Sequence, residues 1–78
     1  MAIQIEAEMK KQPVAGVSVQ IFDRELRGAC LTGSDGRCFA GLRAGGHFLV
    51  IAKYLDVSID EKVPAGTFKV VKLKFKEK

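Results

Sequence analysis

The sequence predicts an all-β fold, a sandwich of two antiparallel sheets made from about seven short strands. Three observations carry that expectation. Apolar residues recur at every second position in Ile3-Ile5-Ala7-Met9, Val17-Val19-Ile21, Cys38-Ala40-Leu42 and Phe48-Val50-Ala52, the period that aims one side of a strand at a core. Turn formers stand between these runs, most clearly at Thr32-Gly33-Ser34-Asp35-Gly36, Gly45-Gly46 and Pro64-Ala65-Gly66. No segment of useful length shows the helical period.

Each element follows in order. Ile3 to Met9 alternates with Gln4, Glu6 and Glu8, so one face is wet. Lys10 to Gly16 reads as a connection, because Pro13 has no N–H for a ladder and Gly16 permits a bend. Val17 to Ile21 is the second strand, which places Phe22 on its outer side or in the exit turn. Asp23 to Gly28 is polar and reads as a loop. Gly28 to Thr32 and the residues beyond Gly36 then read as two arms of a hairpin, with Asp35-Gly36 supplying the positive-φ position of its turn. His47 to Tyr54 is apolar on both faces at Phe48-Leu49-Val50-Ile51-Ala52, which predicts a central strand covered on its second side by a chain segment or by a partner. Val57 and Ile59 mark a short strand, and Thr67 to Lys76 is the last.

Seventy-eight residues make one domain, spanning residues 1–78, with a thin core. Apolar residues form 47% of the chain and charged ones 28%, which fits a folded protein rather than a disordered one. No run approaches the roughly 20 apolar residues of a membrane-spanning helix. Met1 to Lys10 lacks the apolar core of an export signal, so the expectation is a cytoplasmic protein, or else an extracellular or surface module that is mature or excised.

The net charge of +4 has one source. Residues 1–66 carry eight Lys/Arg and eight Asp/Glu, whereas residues 67–78 carry five Lys and one Glu. Lys69, Lys72, Lys74 and Lys76 mostly alternate with Val71, Leu73 and Phe75. A basic stripe for nucleic acid or another polyanion is one reading. The other is edge protection, since a Lys row stops a terminal strand from pairing with a foreign sheet, and interleaved exposed aromatics are missing.

Few residue types offer chemistry. Cys30 and Cys38 are the only cysteines and flank the Asp-Gly turn almost symmetrically. They are either a cross-strand disulfide, a contribution of about 2.5 kcal/mol for so short a loop, or a pair of buried thiols. With one distant histidine they do not form a tetrahedral metal set. His47, the sole histidine, lies on the opposite parity from Phe48 and has no base or nucleophile to pair with. The glycines precede no helix and no Gly-Lys-Ser/Thr occurs, so they are turn residues rather than a phosphate cradle. Asp35, Asp56 and Asp60 lack calcium-loop spacing. Phe22, Phe39 and Tyr54 are the aromatics expected near the surface; scattered singly they are ordinary, whereas three on one patch would make a binding face.

At Pro13-Val14-Ala15-Gly16-Val17-Ser18-Val19, Thr32 to Gly36, and Leu42 to Phe48 with Tyr54, the chain resembles the carboxypeptidase regulatory-like family. The matching elements are P-x-x-G-x-x-V, T-x-x-x-G and L-x-x-G-x-aromatic, the last with Phe48 one residue beyond the aromatic position counted from Leu42 and Gly45, and the resemblance is taken over nearly the whole chain. Cys38 and Ala40 depart from the pattern, standing where larger apolar residues are usual. The resemblance implies a seven-stranded antiparallel Greek-key sandwich of immunoglobulin/transthyretin-like type. It also implies a spacer, adhesive or docking module of surface and secreted proteins. Transthyretin-like hydrolases of purine breakdown are similar in fold, but their several histidines and C-terminal Tyr-Arg-Gly-Ser do not occur here.

The expected function is therefore a non-enzymatic structural or interaction module, without cofactor or metal. It contacts a protein partner or its own copy through a strand edge or through Phe39, Leu49 and Ile51. The alternative is polyanion binding by the Lys-rich last strand.

Overall fold

Among the described residues eight strands form two four-stranded sheets facing each other across one apolar layer. The computed structural model describes residues 2–42, 47–64 and 66–76. In the first sheet β1 (Ala2–Met9) is central. Strand β8 (Phe68–Phe75) pairs with β1 along its whole length, in parallel. That leaves the other side of β1 to be shared end to end by β5 (Arg37–Gly41) and the two-residue β2 (Gln12–Pro13), both antiparallel. The second sheet is antiparallel throughout, in the order β4 (Glu25–Leu31), β3 (Ser18–Asp23), β6 (Phe48–Tyr54), β7 (Val57–Val63).

The two-residue period fills the space between the sheets as expected. Ile3, Ile5 and Ala7 of β1 and Val71, Leu73 and Phe75 of β8 meet Val19 and Ile21 of β3 and Phe48, Val50 and Ala52 of β6, all buried. Full burial of one such aliphatic side chain stabilises by about 1.5–3 kcal/mol, so this row accounts for the folding of a short chain. Tyr54 also belongs to this inner set, edge-to-face on Phe75 at 5.7 Å.

Turns join the strands where backbone geometry permits little choice. Met9 pairs with Gln12 around Lys10 and Lys11, both at positive φ (52° and 65°), the combination of a type I′ hairpin turn. Lysine is a poor occupant of that region, and exposed Lys11 gains no packing in return. Lys11→Gly is expected to stabilise the domain by about 0.5–1 kcal/mol, the left-handed cost less glycine's extra chain entropy, read from the urea midpoint. A lower midpoint would show that the Lys11 side chain holds the turn.

Four expectations are corrected. The segment Lys10–Gly16 is not only a connection: Gln12–Pro13 pairs with β1, on an edge where proline's missing N–H is tolerated. Asp23–Gly28 is not a loop, since β4 begins at Glu25, turning tightly at Arg24 (φ 66°). There Ile21 faces Gly28 while Phe22 faces Leu26, so Arg27 bulges out and the alternation that marks a strand is broken. The arms around Thr32–Gly36 do not pair as a hairpin, because β4 pairs with β3 and β5 with β1. The turn instead carries the chain from one sheet to the other, closed at its base by Gly33 N–H donating to Arg37 O and Gly36 N–H to Gly33 O. Lastly, β1 and β8 run parallel, a direction that side-chain parity does not encode. The turn expected at Gly45-Gly46 lies outside the described residues.

The cysteines consequently bridge sheets rather than hairpin arms. Cys30 faces Val19 and Cys38 faces Ile5, each on the inner side of an edge strand, and a disulfide joins them with 6.0 Å between Cα atoms. Reduction and alkylation are expected to lower unfolding free energy by about 2.5 kcal/mol, measured by urea titration. An unmoved midpoint would mean that the sheets hold this corner without the bridge.

Candidate functional site

The outer face of the second sheet carries an apolar floor that the sandwich leaves partly open. Outward positions on β3 are Ser18, Gln20 and Phe22, and those on β6 are Leu49, Ile51 and Lys53, because their neighbours Val19, Ile21, Val50 and Ala52 are buried. The register sets Phe22 directly against Leu49, and Leu49 against Lys62 of β7. Gln20 lies against Ile51 in the next row. Phe22, Leu49 and Ile51 are each partly buried and partly open.

Together with Val63 and Pro64 these side chains line a groove of about 700 Å³. Its rim is polar. Arg24 projects from the tight β3–β4 turn, Lys62 from β7 and His47 from the residue before β6, all exposed. Asp23 is the single carboxylate among the described lining residues, and Asp60 of β7 stands against Ile51 on the same face. No ion pair joins Arg24, Lys62 or His47 to an acid among the described residues. An apolar floor flanked by the Arg24 and Lys62 cations suits a ligand with a large apolar group and a nearby negative charge.

The other expected surface divides. Leu49 and Ile51 share this groove, but Phe39 lies on the outer face of the opposite sheet, facing Gln4, and is 64% exposed. One contact patch of Phe39, Leu49 and Ile51 is therefore excluded by the thickness of the sandwich. Phe39 instead neighbours Val70 across Gln4, with Phe68 beyond Ala2. The three aromatics also separate: Phe22 in the groove, Phe39 behind it, Tyr54 against the core.

The basic stripe is broken in two ways. Lys69 pairs with Ile3 and so stands on the opposite side of β8 from Lys72, Lys74 and Lys76. Lys72 and Lys74 face Glu6 and Glu8 of β1, and Glu6 also forms an ion pair with Arg37 at 3.6 Å. Alternating signs across neighbouring strands leave little net field for a phosphate backbone. Among the described residues no three His, Cys, Asp or Glu side chains gather in a metal-binding arrangement, and no helix is long and apolar enough to cross a membrane.

Sequence reasoning found Leu49 and Ile51 through the doubled apolar run of β6. It missed the partners. Phe22 was assignable to the outer side by parity, but its pairing with Leu49 depends on β3 and β6 being neighbours. Arg24 and Lys62 carry no sequence signal for a shared rim.

No protein-family model matches this chain, and no curated protein does. Among solved structures it is similar to the TIE protein of Bacillus anthracis, with a TM-score of 0.73 and 16% identity over 96% of this chain. This chain spans 16% of that protein's length. Identity this low shows a shared all-β fold and nothing further.

Proposed function

We propose that this domain is a non-enzymatic interaction module that docks protein through the groove of Phe22, Leu49 and Ile51. One observation carries the reading: three large apolar side chains from two adjacent strands remain partly open on the outer face of a sheet, beside Arg24, Lys62 and His47. A sheet face used only as solvent boundary puts polar residues at such positions.

The finer assignment, a Greek-key transthyretin-like sandwich of the carboxypeptidase regulatory-like family in which the two-residue β2 stands apart from seven longer strands, forms part of the same proposal. It is supported by the way two of the matched elements meet. Thr32 and Gly36 of T-x-x-x-G pack against Pro13 to Val17 of P-x-x-G-x-x-V through hydrogen bonds and close contact. The Cys30–Cys38 disulfide supports a surface or secreted setting, where such bonds persist. Polyanion binding has less in its favour, because Lys72 and Lys74 stand opposite carboxylates.

Selection of binders from a random-peptide library displayed on phage tests the docking site. Binders are expected to be rich in large apolar residues beside Asp or Glu, and to lose at least about tenfold in affinity to Leu49→Glu. They should be indifferent to Phe39→Ser. Binders that ignore Leu49→Glu, or a selection that yields none, would remove the groove from consideration.

A further inference from the structure

We infer that the domain associates head to tail with its own copies, the β6–β7 turn of one seated in the groove of the next. This rests on reading the groove as a docking surface and names the occupant. The turn is Leu55-Asp56, between the paired residues Tyr54 and Val57. Leu55 is 83% exposed, the most open of the large apolar side chains among the described residues, and its φ is +55°. That backbone region disfavours any residue with a Cβ, and turns ordinarily fill it with Gly, Asn or Asp. A leucine held there gives nothing to its own core. An apolar side chain kept in an unfavourable conformation at an exposed tip points to a use outside the fold.

The two surfaces fit in shape and charge. Two residues joining strands about 4.8 Å apart make a narrow tip, and the groove is about 700 Å³ with Phe22, Leu49 and Ile51 beneath. Leu55 supplies the apolar group, and Asp56, exposed although already engaged in an interaction of its own, adds negative charge on the side of Arg24 and Lys62. They also sit apart. The groove gathers His47, Phe48, Val63 and Pro64 at one end of the β6–β7 hairpin, and the tip is at the other. Even Ile51, the groove residue of β6 nearest the tip, is four positions from Leu55, about 13 Å at a strand's rise. A copy therefore does not fill its own groove, and each offers one tip and one groove. Such a heterologous contact extends from copy to copy, as an open chain or a closed ring.

Sedimentation equilibrium over a concentration series, at low salt, tests this with three proteins. The wild-type domain is expected to gain mass with concentration beyond a dimer. Leu55→Asn, which suits the positive φ and so keeps the turn, should weaken association by at least about tenfold. Leu49→Glu should do the same from the groove side. Mixed in equal amounts, the two variants should form a 1:1 dimer and nothing larger, because one intact tip and one intact groove remain between them. A wild-type domain that stays monomeric, undiminished association in Leu55→Asn, or a mixture that stays monomeric overturns the inference. A groove that still binds selected peptides in a monomeric wild-type domain would defeat self-association alone, leaving the docking reading in place.

Discussion

Gly36→Ala is expected to destabilise the domain by about 2–5 kcal/mol, the sum of a left-handed backbone cost and an overpacking cost. Gly36 has a φ of +73°, and a Cβ there would come within 2.5 Å of the Ala7 carbonyl oxygen and 3.0 Å of Pro13 Cβ. The same carbonyl accepts the Val14 N–H, and Gly36 O accepts the Ala7 N–H at 2.7 Å. Neither neighbour can withdraw without breaking the end of β1 or the start of the following loop. For a domain this small each kcal/mol moves the thermal midpoint by about 4–8 °C, and total stability is of the same order as the expected loss. Calorimetry of the variant measures it. A midpoint within 2 or 3 °C of the parent, roughly half a kcal/mol by that scaling, would mean that the turn swings clear of Pro13.

Thr32→Val has the next largest effect, with an expected loss of about 3 kcal/mol for one buried donor and one acceptor left without partners. Thr32 is 3% exposed. Its Oγ1 accepts the buried Val17 N–H at 2.9 Å and donates to Val14 O at 2.8 Å. Its backbone completes the clamp, with Gly16 N–H donating to Thr32 O and Thr32 N–H to Val17 O. Valine keeps the shape and removes both side-chain bonds, so the measurement isolates polarity from packing. Thr32→Ser retains the hydroxyl and should recover most of the difference in a urea titration. If valine unfolds at the parent's urea concentration, the two backbone bonds suffice to hold residues 14–17.

These two residues also show how far the chain could be read without coordinates. Thr32 and Gly36 stood out as turn residues, and Pro13 and Gly16 as a bend, but nothing in their spacing says that they touch. Contact between them requires β1, β3 and β5 to be assembled first. The same holds at the groove. The outward parity of Leu49 and Ile51 was legible from the doubled apolar run, whereas Phe22, Arg24 and Lys62 joined them only through the registers of β3, β6 and β7. Phe39 obeyed its predicted parity and still fell on the wrong side of the molecule, because its strand entered the other sheet.

By itself the sequence determined the class of fold and the composition of the core. A period of two is a local property: each residue's side is fixed by its neighbours in the chain, so Ile3, Val19, Val50 and Leu73 were assignable to the interior, where all four lie. Which strands became neighbours, and in which direction, was decided by the tertiary structure alone. Backbone hydrogen bonds are the same for every residue but proline, and they carry no label for a partner. The parallel pairing of β1 with β8, the crossing at Thr32–Gly36 that sets Cys30 against Cys38, and the meeting of Phe22 with Leu49 all arise from burying every apolar row at once.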